Sequence, residues 1–390
     1  MASSLEKISI LSLSLVLVSA FAITPISHDM YDYYSLPLSA IEILVSLPSL
    51  TIMIVLIISP LLTKILSEQI IITTGLIITA LSGTFPVLSQ SYPLVFASRV
   101  LLGIGIGLVN IKAISLIGER YDGEVRQRLF GYRGGVEVFG SAFLTFLAGQ
   151  LADFDWSYSF LVYSCALIIL LLYVFFVPCT IDTGDNAYVT TEDSTEKSTK
   201  MSFVQNLYLF SLIGLAMETV LINASIYLRL FDVMSSLGDF TSSQSALLLA
   251  SQQLIGIVAG ILFVFFVKYF RHYCFTFAEV GLCLSLISLV FSPYISSFVV
   301  ATILTGFFFT IKITLIFNAL PEHFPKRHLS RVTSLVLLGC SFSAFCVPLV
   351  LKFLGSIVGT SRNIFLLYTF LSLLLIIVLF IVEKTKNSTY

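Results

Sequence analysis

The chain has 390 residues, of which 57% are hydrophobic and 11% are charged, and its formal net charge is −1. A soluble domain carries about 25% charged residues, so this composition excludes a soluble globular protein and indicates that lipid is the main solvent. The net charge by itself does not address nucleic acid, but the sequence has no basic patch of useful size, so we expect no nucleic-acid partner. The six cysteines show neither a CxxC pair nor zinc spacing, so we expect no disulfide framework, metal site or other cofactor.

Twelve apolar runs follow one another along the chain, each close to the 20 or so residues that a bilayer-spanning helix needs. They cover residues 8–27, 37–60, 70–89, 94–118, 132–152, 158–178, 204–228, 242–267, 273–292, 297–319, 332–356 and 363–383. The first run lacks a small-residue cleavage site, so we interpret it as a retained helix and not as a signal peptide. The one long polar segment, 179–203, separates six runs from six. We therefore predict an all-α membrane protein of two six-helix bundles, residues 1–178 and 204–390, joined by a linker over 179–203.

Lys and Arg are distributed unevenly about these predicted helices. Of the 21 Lys and Arg residues, fifteen would lie on the side of the N-terminus and only Arg229, Lys352 and Arg362 on the other. Because loops rich in Lys and Arg stay in the cytoplasm, both termini are expected to be cytoplasmic. We further expect a plasma-membrane protein that is a monomer.

The two halves of the sequence repeat each other. Lys112 and Lys312 each follow an isoleucine within a similar apolar run, 200 residues apart. An even number of helices in each half makes this a parallel repeat, related by an axis along the membrane normal. Secondary transporters built in this way place their substrate near the midplane, between the halves.

Three motifs carry a resemblance to a known family. Arg99-Val-Leu-Leu-Gly103 resembles the fourth-helix RxxxG motif of the major facilitator superfamily. Residues 140–149 resemble its fifth-helix glycine motif, without the Gly-Pro that antiporters typically carry. Residues 59–64 stand at its loop motif Gly-x-Leu-x-Asp-Arg, in which the basic residue is kept as Lys64 while the Gly and the Asp are lost. Over essentially its whole length the chain resembles this family, which implies twelve helices, alternating access, and a central cavity lined by the first, fourth, seventh and tenth helices.

Glycines are concentrated in the predicted fourth and fifth helices. We expect them to allow close helix approach, because a glycine lets two backbones come together. The candidates are Gly103, Gly107, Gly134, Gly135, Gly140 and Gly149.

Arg99 and Glu42 form the first candidate pair. Each lies about five residues from the outer end of its predicted helix, so the two can meet at one depth. A charge within a membrane span is by default a functional hypothesis, and a guanidinium stabilises a nearby carboxylate. The family resemblance associates the fourth-helix Arg with proton coupling. The alternative is a structural bond from Arg99 to a carbonyl or to Glu42.

Lys112 and Lys312 form the second candidate pair, at matching positions of the fourth and tenth helices. Two ammonium groups in a central cavity would form an anion clamp. The alternative is that each lysine extends along its stem to the membrane interface. Glu137 is the candidate partner of Lys112, and no equivalent residue is present for Lys312, which we therefore expect to be the less neutralised.

Glu218 lies near the middle of the predicted seventh helix with no basic residue near it in sequence. Such a carboxylic acid can carry a proton or bind a cationic group, or it can be a protonated structural residue. Glu279 is expected to be peripheral. Asn110, Asn223 and Asn318 are candidate substrate contacts, although asparagines also join helices within bundles.

These residues together predict a proton-coupled secondary transporter that works by alternating access on a small organic anion or zwitterion. Lys112, Lys312, Glu218 and the three asparagines are assigned to substrate binding. Proton coupling is assigned to Arg99, Glu42, Glu218 and Glu137. The main alternative is a multidrug/proton antiporter that exports lipophilic cations; a lipid flippase or a receptor without transport is a further one. The sequence has no GxxxxGK[ST] motif for an ATP-driven pump and no enzyme constellation.

Overall fold

The computed structural model describes residues 4–113, 115–121, 123–177, 203–238, 240–270 and 273–387, and all regular elements within them are helical. The first half contains α1 (Ser4–Leu17), α2 (Ser27–Tyr34), α3 (Leu38–Ile65), α4 (Glu68–Thr84), α5 (Tyr92–Ala113), α6 (Ser115–Arg120), α7 (Gly123–Ala152) and α8 (Cys165–Phe176). The second half contains α9 (Phe203–Ser235), α10 (Ser242–Phe270), α11 (Cys274–Phe291), α12 (Ile295–His323), α13 (Lys326–Val358) and α14 (Ser361–Asn387).

The predicted twelve-span architecture is confirmed. Within the described residues, eleven helices are long and apolar enough to cross a membrane, and the bent pair formed by 4–17 and 19–34 supplies a twelfth span. The sixth span combines a 3₁₀ segment, Trp156–Ser164, with α8. The predicted linker over 179–203 lies almost entirely outside the described residues, so the domain boundaries stay predictions.

The first span is broken in its middle. Two short 3₁₀ segments, Ser19–Phe21 and Thr24–Ile26, connect α1 to α2, and the two parts meet at an angle of 42°. Pro25 contributes to this break because it has no backbone N–H to continue the α-helical pattern. A broken helix at membrane depth leaves carbonyl groups that other parts of the protein must satisfy.

The two halves pack together mainly through two helix pairs. Six spans in each half place both chain ends at one face, which we call the terminal face; the opposite one is the far face. Helix α3 packs against α13, and α7 packs against α10. One continuous apolar core includes most of the buried apolar residues of the first half together with far-face residues of the second half such as Leu230 and Leu248. A separate core, which includes Leu209 and Ile316, lies in the terminal-face part of the second half.

Glycines permit the closest helix crossings, although not at every predicted position. A Cβ placed on Gly103 of α5 would lie 2.5 Å from the Pro48 carbonyl oxygen of α3. At Gly149 of α7 it would lie 2.1 Å from the Ala246 Cβ of α10, so the far-face contact of the halves depends on that glycine. The prediction is wrong for Gly134 and Gly135, where an added Cβ meets nothing within 4 Å.

Candidate functional site

Three charged side chains meet inside the second half of the protein. The Lys312 ammonium on α12 forms ion pairs with Glu218 of α9 and with Glu279 of α11. The side chains of Lys312 and Glu279 are completely buried, and that of Glu218 is 12% exposed. With all three groups ionised, the cluster carries one positive and two negative charges.

This cluster corrects three expectations from the sequence. Glu218 is not a lone carboxylic acid, because its partner Lys312 lies 94 positions away in sequence. Glu279 is not peripheral, and Lys312 is not an uncompensated arm of an anion clamp, since two carboxylates already contact its ammonium. The missed signal was Glu279 itself, a carboxylic acid in an apolar run just as Glu218 is.

Close packing of α11 on α12 brings this cluster together. A Cβ at Gly281, two residues after Glu279, would lie 2.0 Å from the Phe308 ring, so only a glycine permits the observed approach. Phe308 is one helical turn from Lys312. Because burying a charge in an apolar span is costly, the three side chains lower that cost by compensating one another.

A cavity of about 1560 Å³ lies next to the cluster. Glu218 and Asn318 are on its wall. It reaches the terminal face, where Lys268, Glu322 and His323 line it near the ends of α10 and α12. All lining residues belong to the second half, from α9, α10, α11, α12 and α14. The described cavity is therefore inside one bundle and not between the two.

A chain of buried and half-buried polar side chains lies nearer the far face. Gln252 of α10 donates one hydrogen bond to Asn223 of α9 at 3.3 Å and another to Thr305 of α12 at 3.1 Å. The neighbouring Gln253 donates across the interface between the halves to Thr145 of α7 at 3.2 Å. Asn223 therefore joins helices in this structure. Neither glutamine was predicted as a functional residue, although two adjacent amides within an apolar helix were a signal in the sequence.

Glu42 pairs with an arginine from the other half, and not with Arg99 as predicted. The Arg229 Nε atom lies 2.7 Å from Glu42 Oε1, and the Glu42 side chain is completely buried. Arg229, expected in an outer loop, is in α9, six residues before its end. The pair connects α3 to α9 close to the far face. Asp232 adds a second carboxylate at 3.7 Å from Arg229.

Arg99 braces the broken first span. Its Nη2 atom donates a hydrogen bond to the Ala20 carbonyl at 2.9 Å, and its Nη1 atom donates to the Tyr163 hydroxyl at 2.8 Å. The guanidinium also lies 5.8 Å from the centre of the Phe160 ring. The predicted alternative of a structural bond to a carbonyl is thus confirmed, because the break at Ala20 exposes a carbonyl that needs a donor.

Lys112, Asn110 and Glu137 lie in the first half, apart from the cluster around Lys312. Lys112 is buried in the last turn of α5, and Asn110 is half-buried on the same helix. Glu137, the predicted partner of Lys112, forms an ion pair with Arg133 one turn away on α7. Within the described ranges, no group of three or more His, Cys, Asp or Glu residues is placed to hold a metal ion.

A family comparison decides the class of the protein. The model of the Major Facilitator Superfamily matches residues 9–235 and 207–389. The chain belongs to the major facilitator superfamily. It is therefore a membrane transporter, and the predicted membership is confirmed.

Solved structures of this superfamily share the fold. A bacterial homolog of the human lysosomal transporter Spinster, in an inward-facing and unoccupied conformation, superposes with a TM-score of 0.73 at 15% identity, over 92% of this chain and 84% of that one. The inward-open xylose transporter XylE from E. coli gives 0.71 at 15% identity over 96% and 95%. A D-xylose-proton symporter gives 0.71 at 17% identity over 97% of both chains. No curated protein matches the sequence.

Proposed function

We propose that this superfamily member is a secondary active transporter that couples substrate movement to protons through Glu218. The observation that carries the proposal is the pairing of two carboxylates with the single buried Lys312, with one of the two on a cavity wall. By resemblance in fold to a D-xylose-proton symporter, proton coupling is compatible with this architecture. We assign the terminal face to the cytoplasm, because Lys and Arg are concentrated on that side; the plasma membrane and the monomeric state stay predictions.

The proton site works through charge balance. When both carboxylates are ionised, the cluster has one excess negative charge in a medium where charge is poorly screened. One proton on Glu218 removes that excess and weakens its attraction to Lys312. Proton binding and release can therefore loosen and tighten the contact between α9 and α12.

Helix α9 carries both the proposed proton site, Glu218, and the arginine of the Arg229–Glu42 ion pair at the far face. Glu218 and Arg229 are eleven residues apart on α9, which corresponds to about 16 Å along the helix axis. A change in the position of α9 on protonation is thereby transmitted toward the Arg229–Glu42 contact between the halves. This link provides a route by which protonation can control alternating access.

The substrate class predicted from the sequence becomes narrower. The charge of Lys312 is already compensated by two carboxylates, so it attracts a simple anion less than the sequence suggested. The ammonium group of a zwitterion, by contrast, is attracted by the excess negative charge of the cluster. The second candidate is the export of lipophilic cations in exchange for protons. It is favoured because the cavity beside Glu218 has mainly apolar walls.

The test is Glu218→Gln in proteoliposomes with an imposed pH gradient. Lactate, a dipeptide and ethidium serve as anionic, zwitterionic and lipophilic cationic probes. We expect the flux of the accepted probe to follow the pH gradient in the wild type. The variant should lose that dependence, because a glutamine amide does not bind and release a proton as a carboxylate does. Glu124→Gln, in an exposed ion pair with Arg128, is the matched control. A flux that still follows the gradient in Glu218→Gln contradicts the proposal.

A further inference from the structure

We infer that the cavity inside the second half binds an elongated lipophilic monocation, whose charged end contacts Glu218 and whose apolar body lies along α14. The inference rests on the proposed function in that Glu218 is the shared residue. It adds a location, since every residue that lines the cavity belongs to the second half, and it adds a ligand shape.

The polar end of the site is an incompletely satisfied carboxylate. Glu218 contacts Lys312 through Oε2, whereas its Oε1 atom is buried and has no hydrogen-bond partner among the described residues. A buried carboxylate oxygen without a partner costs free energy, and a ligand cation beside it would offset that cost through its charge. The excess negative charge of the cluster repels an anion at the same position.

The apolar wall is a continuous stripe on one helix. Leu371, Leu374, Leu375, Val378, Leu379 and Val382 line the cavity from α14. Their spacing of three or four residues places them on one helical face. The stripe from the first to the last extends about 16 Å. A long narrow apolar body matches this wall, which a compact polar solute would leave largely uncovered.

The cavity is also large enough for such a ligand. Its volume of about 1560 Å³ exceeds the roughly 300–1,000 Å³ of ordinary small-molecule pockets. The mouth carries Lys268 together with Glu322 and Glu383, so carboxylates outnumber the lysine there as well. Both the mouth and the Glu218 end therefore favour a cation over an anion.

One position allows the cavity to be filled without disturbing the fold. Gly214 of α9 lines the cavity, and a Cβ added there meets nothing within 4 Å. Gly260 of α10 likewise has nothing within 4 Å of an added Cβ, but it does not line the cavity. Gly214→Phe and Gly260→Phe are thus a matched pair of substitutions, one inside the cavity and one outside it.

The experiment measures saturable binding of radiolabelled dodecyltrimethylammonium to the full-length protein in lipid nanodiscs, with empty nanodiscs as the blank. We expect the wild type and Gly260→Phe to bind alike. Gly214→Phe and Glu218→Gln should each bind at least about tenfold more weakly. Tetramethylammonium, which has the charge without the chain, and dodecanoate, which has the chain with the opposite charge, should compete poorly.

Wild-type affinity in a Gly214→Phe variant that remains monodisperse would overturn the inference, and so would stronger competition by dodecanoate than by the labelled cation. These outcomes are separate from a failure of proton coupling. If Gly214→Phe binds normally while Glu218→Gln still loses its response to the pH gradient, the cavity inference falls and the proton site stands.

Discussion

Lys312 determines the electrostatics of the second half at the scale of single residues. Its ammonium is the cation that both Glu218 and Glu279 contact. Removing one partner of a buried ion pair leaves an uncompensated charge, whereas replacing the whole group by neutral residues is often tolerated. The cluster can therefore be tested for stability separately from transport.

We predict that Lys312→Met lowers stability by about 3–5 kcal/mol, the usual cost of breaking a buried pair. The triple variant Lys312→Met/Glu218→Gln/Glu279→Gln should recover most of this loss, because no charge then remains in the cluster. Thermal unfolding of the purified proteins in one detergent gives the order of stability. A triple variant as unstable as Lys312→Met would show that the charges do not compensate one another.

Arg99 has a different role at the same scale. Its contacts with Ala20 and Tyr163 lie within the first half, so it stabilises a broken helix and does not connect the two halves. We predict that Tyr163→Phe lowers stability by about 1.5–3 kcal/mol, the usual contribution of a hydrogen bond to a charged group. Its pH-gradient response should remain that of the wild type. The unfolding temperature checks the loss of stability, and proteoliposome flux checks the pH-gradient response. A variant of full stability that loses the pH response would show that Arg99 takes part in proton coupling.

At the scale of helices, glycines determine how closely the elements cross. Gly103 stands against the backbone of α3 at Pro48, which cannot move aside as a flexible side chain can. Gly134 has open space around it, although it belongs to an equally glycine-rich helix. The sequence does not distinguish these two glycines, and the packing does.

We predict that Gly103→Ala destabilises the protein by about 1–3 kcal/mol, the range for overpacking a close contact. Gly134→Ala should be neutral or slightly stabilising, since alanine favours a helix by about 0.5–1 kcal/mol over glycine. Unfolding temperatures of the two variants make the comparison. Equal losses of stability in the two variants would mean that the close approach of α5 and α3 at Gly103 does not cause the destabilisation.

At the scale of the whole molecule, the two halves are held together at the far face. The Arg229–Glu42 ion pair, the bond between Ser242 and Asp29, and the Gly149 contact with α10 all connect the halves there. The described cavity reaches the opposite, terminal face. The structure is thus closed at the far face.

We predict that Arg229→Gln opens the far face, because it leaves the buried Glu42 carboxylate without its arginine. The exchange Glu42→Arg/Arg229→Glu should restore closure. The readout is modification of Ser243→Cys by a membrane-impermeant maleimide, in a background without the native cysteines. Ser243 lies beside Gly149 at the contact of α7 with α10.

We expect modification to be about tenfold faster in Arg229→Gln, which corresponds to a shift of about 1.4 kcal/mol in the closing equilibrium. The exchanged pair should return to the wild-type rate. Equal rates in all three proteins would show that the ion pair does not hold the halves together.

The sequence by itself determined the number of spans and the approximate depth of charged residues such as Glu218 and Lys312, although it misplaced Arg229 in a loop. Apolar length and a fixed rise per residue suffice for these, since both are properties of one helix. They placed Glu218 at mid-depth and aligned Lys112 with Lys312. The spacing is also compatible with the local Arg133–Glu137 pair, whose partners are one turn apart, although the prediction had paired Glu137 with Lys112.

Only the tertiary structure decided which charges meet. Lys312 contacts carboxylates that are 33 and 94 positions away, and Glu42 contacts Arg229 from the other half. Such contacts depend on the rotation and separation of neighbouring helices, which close packing at residues such as Gly281 controls. Depth can be calculated along one helix, but the direction in which a side chain finds its partner is set by all the helices packed around it.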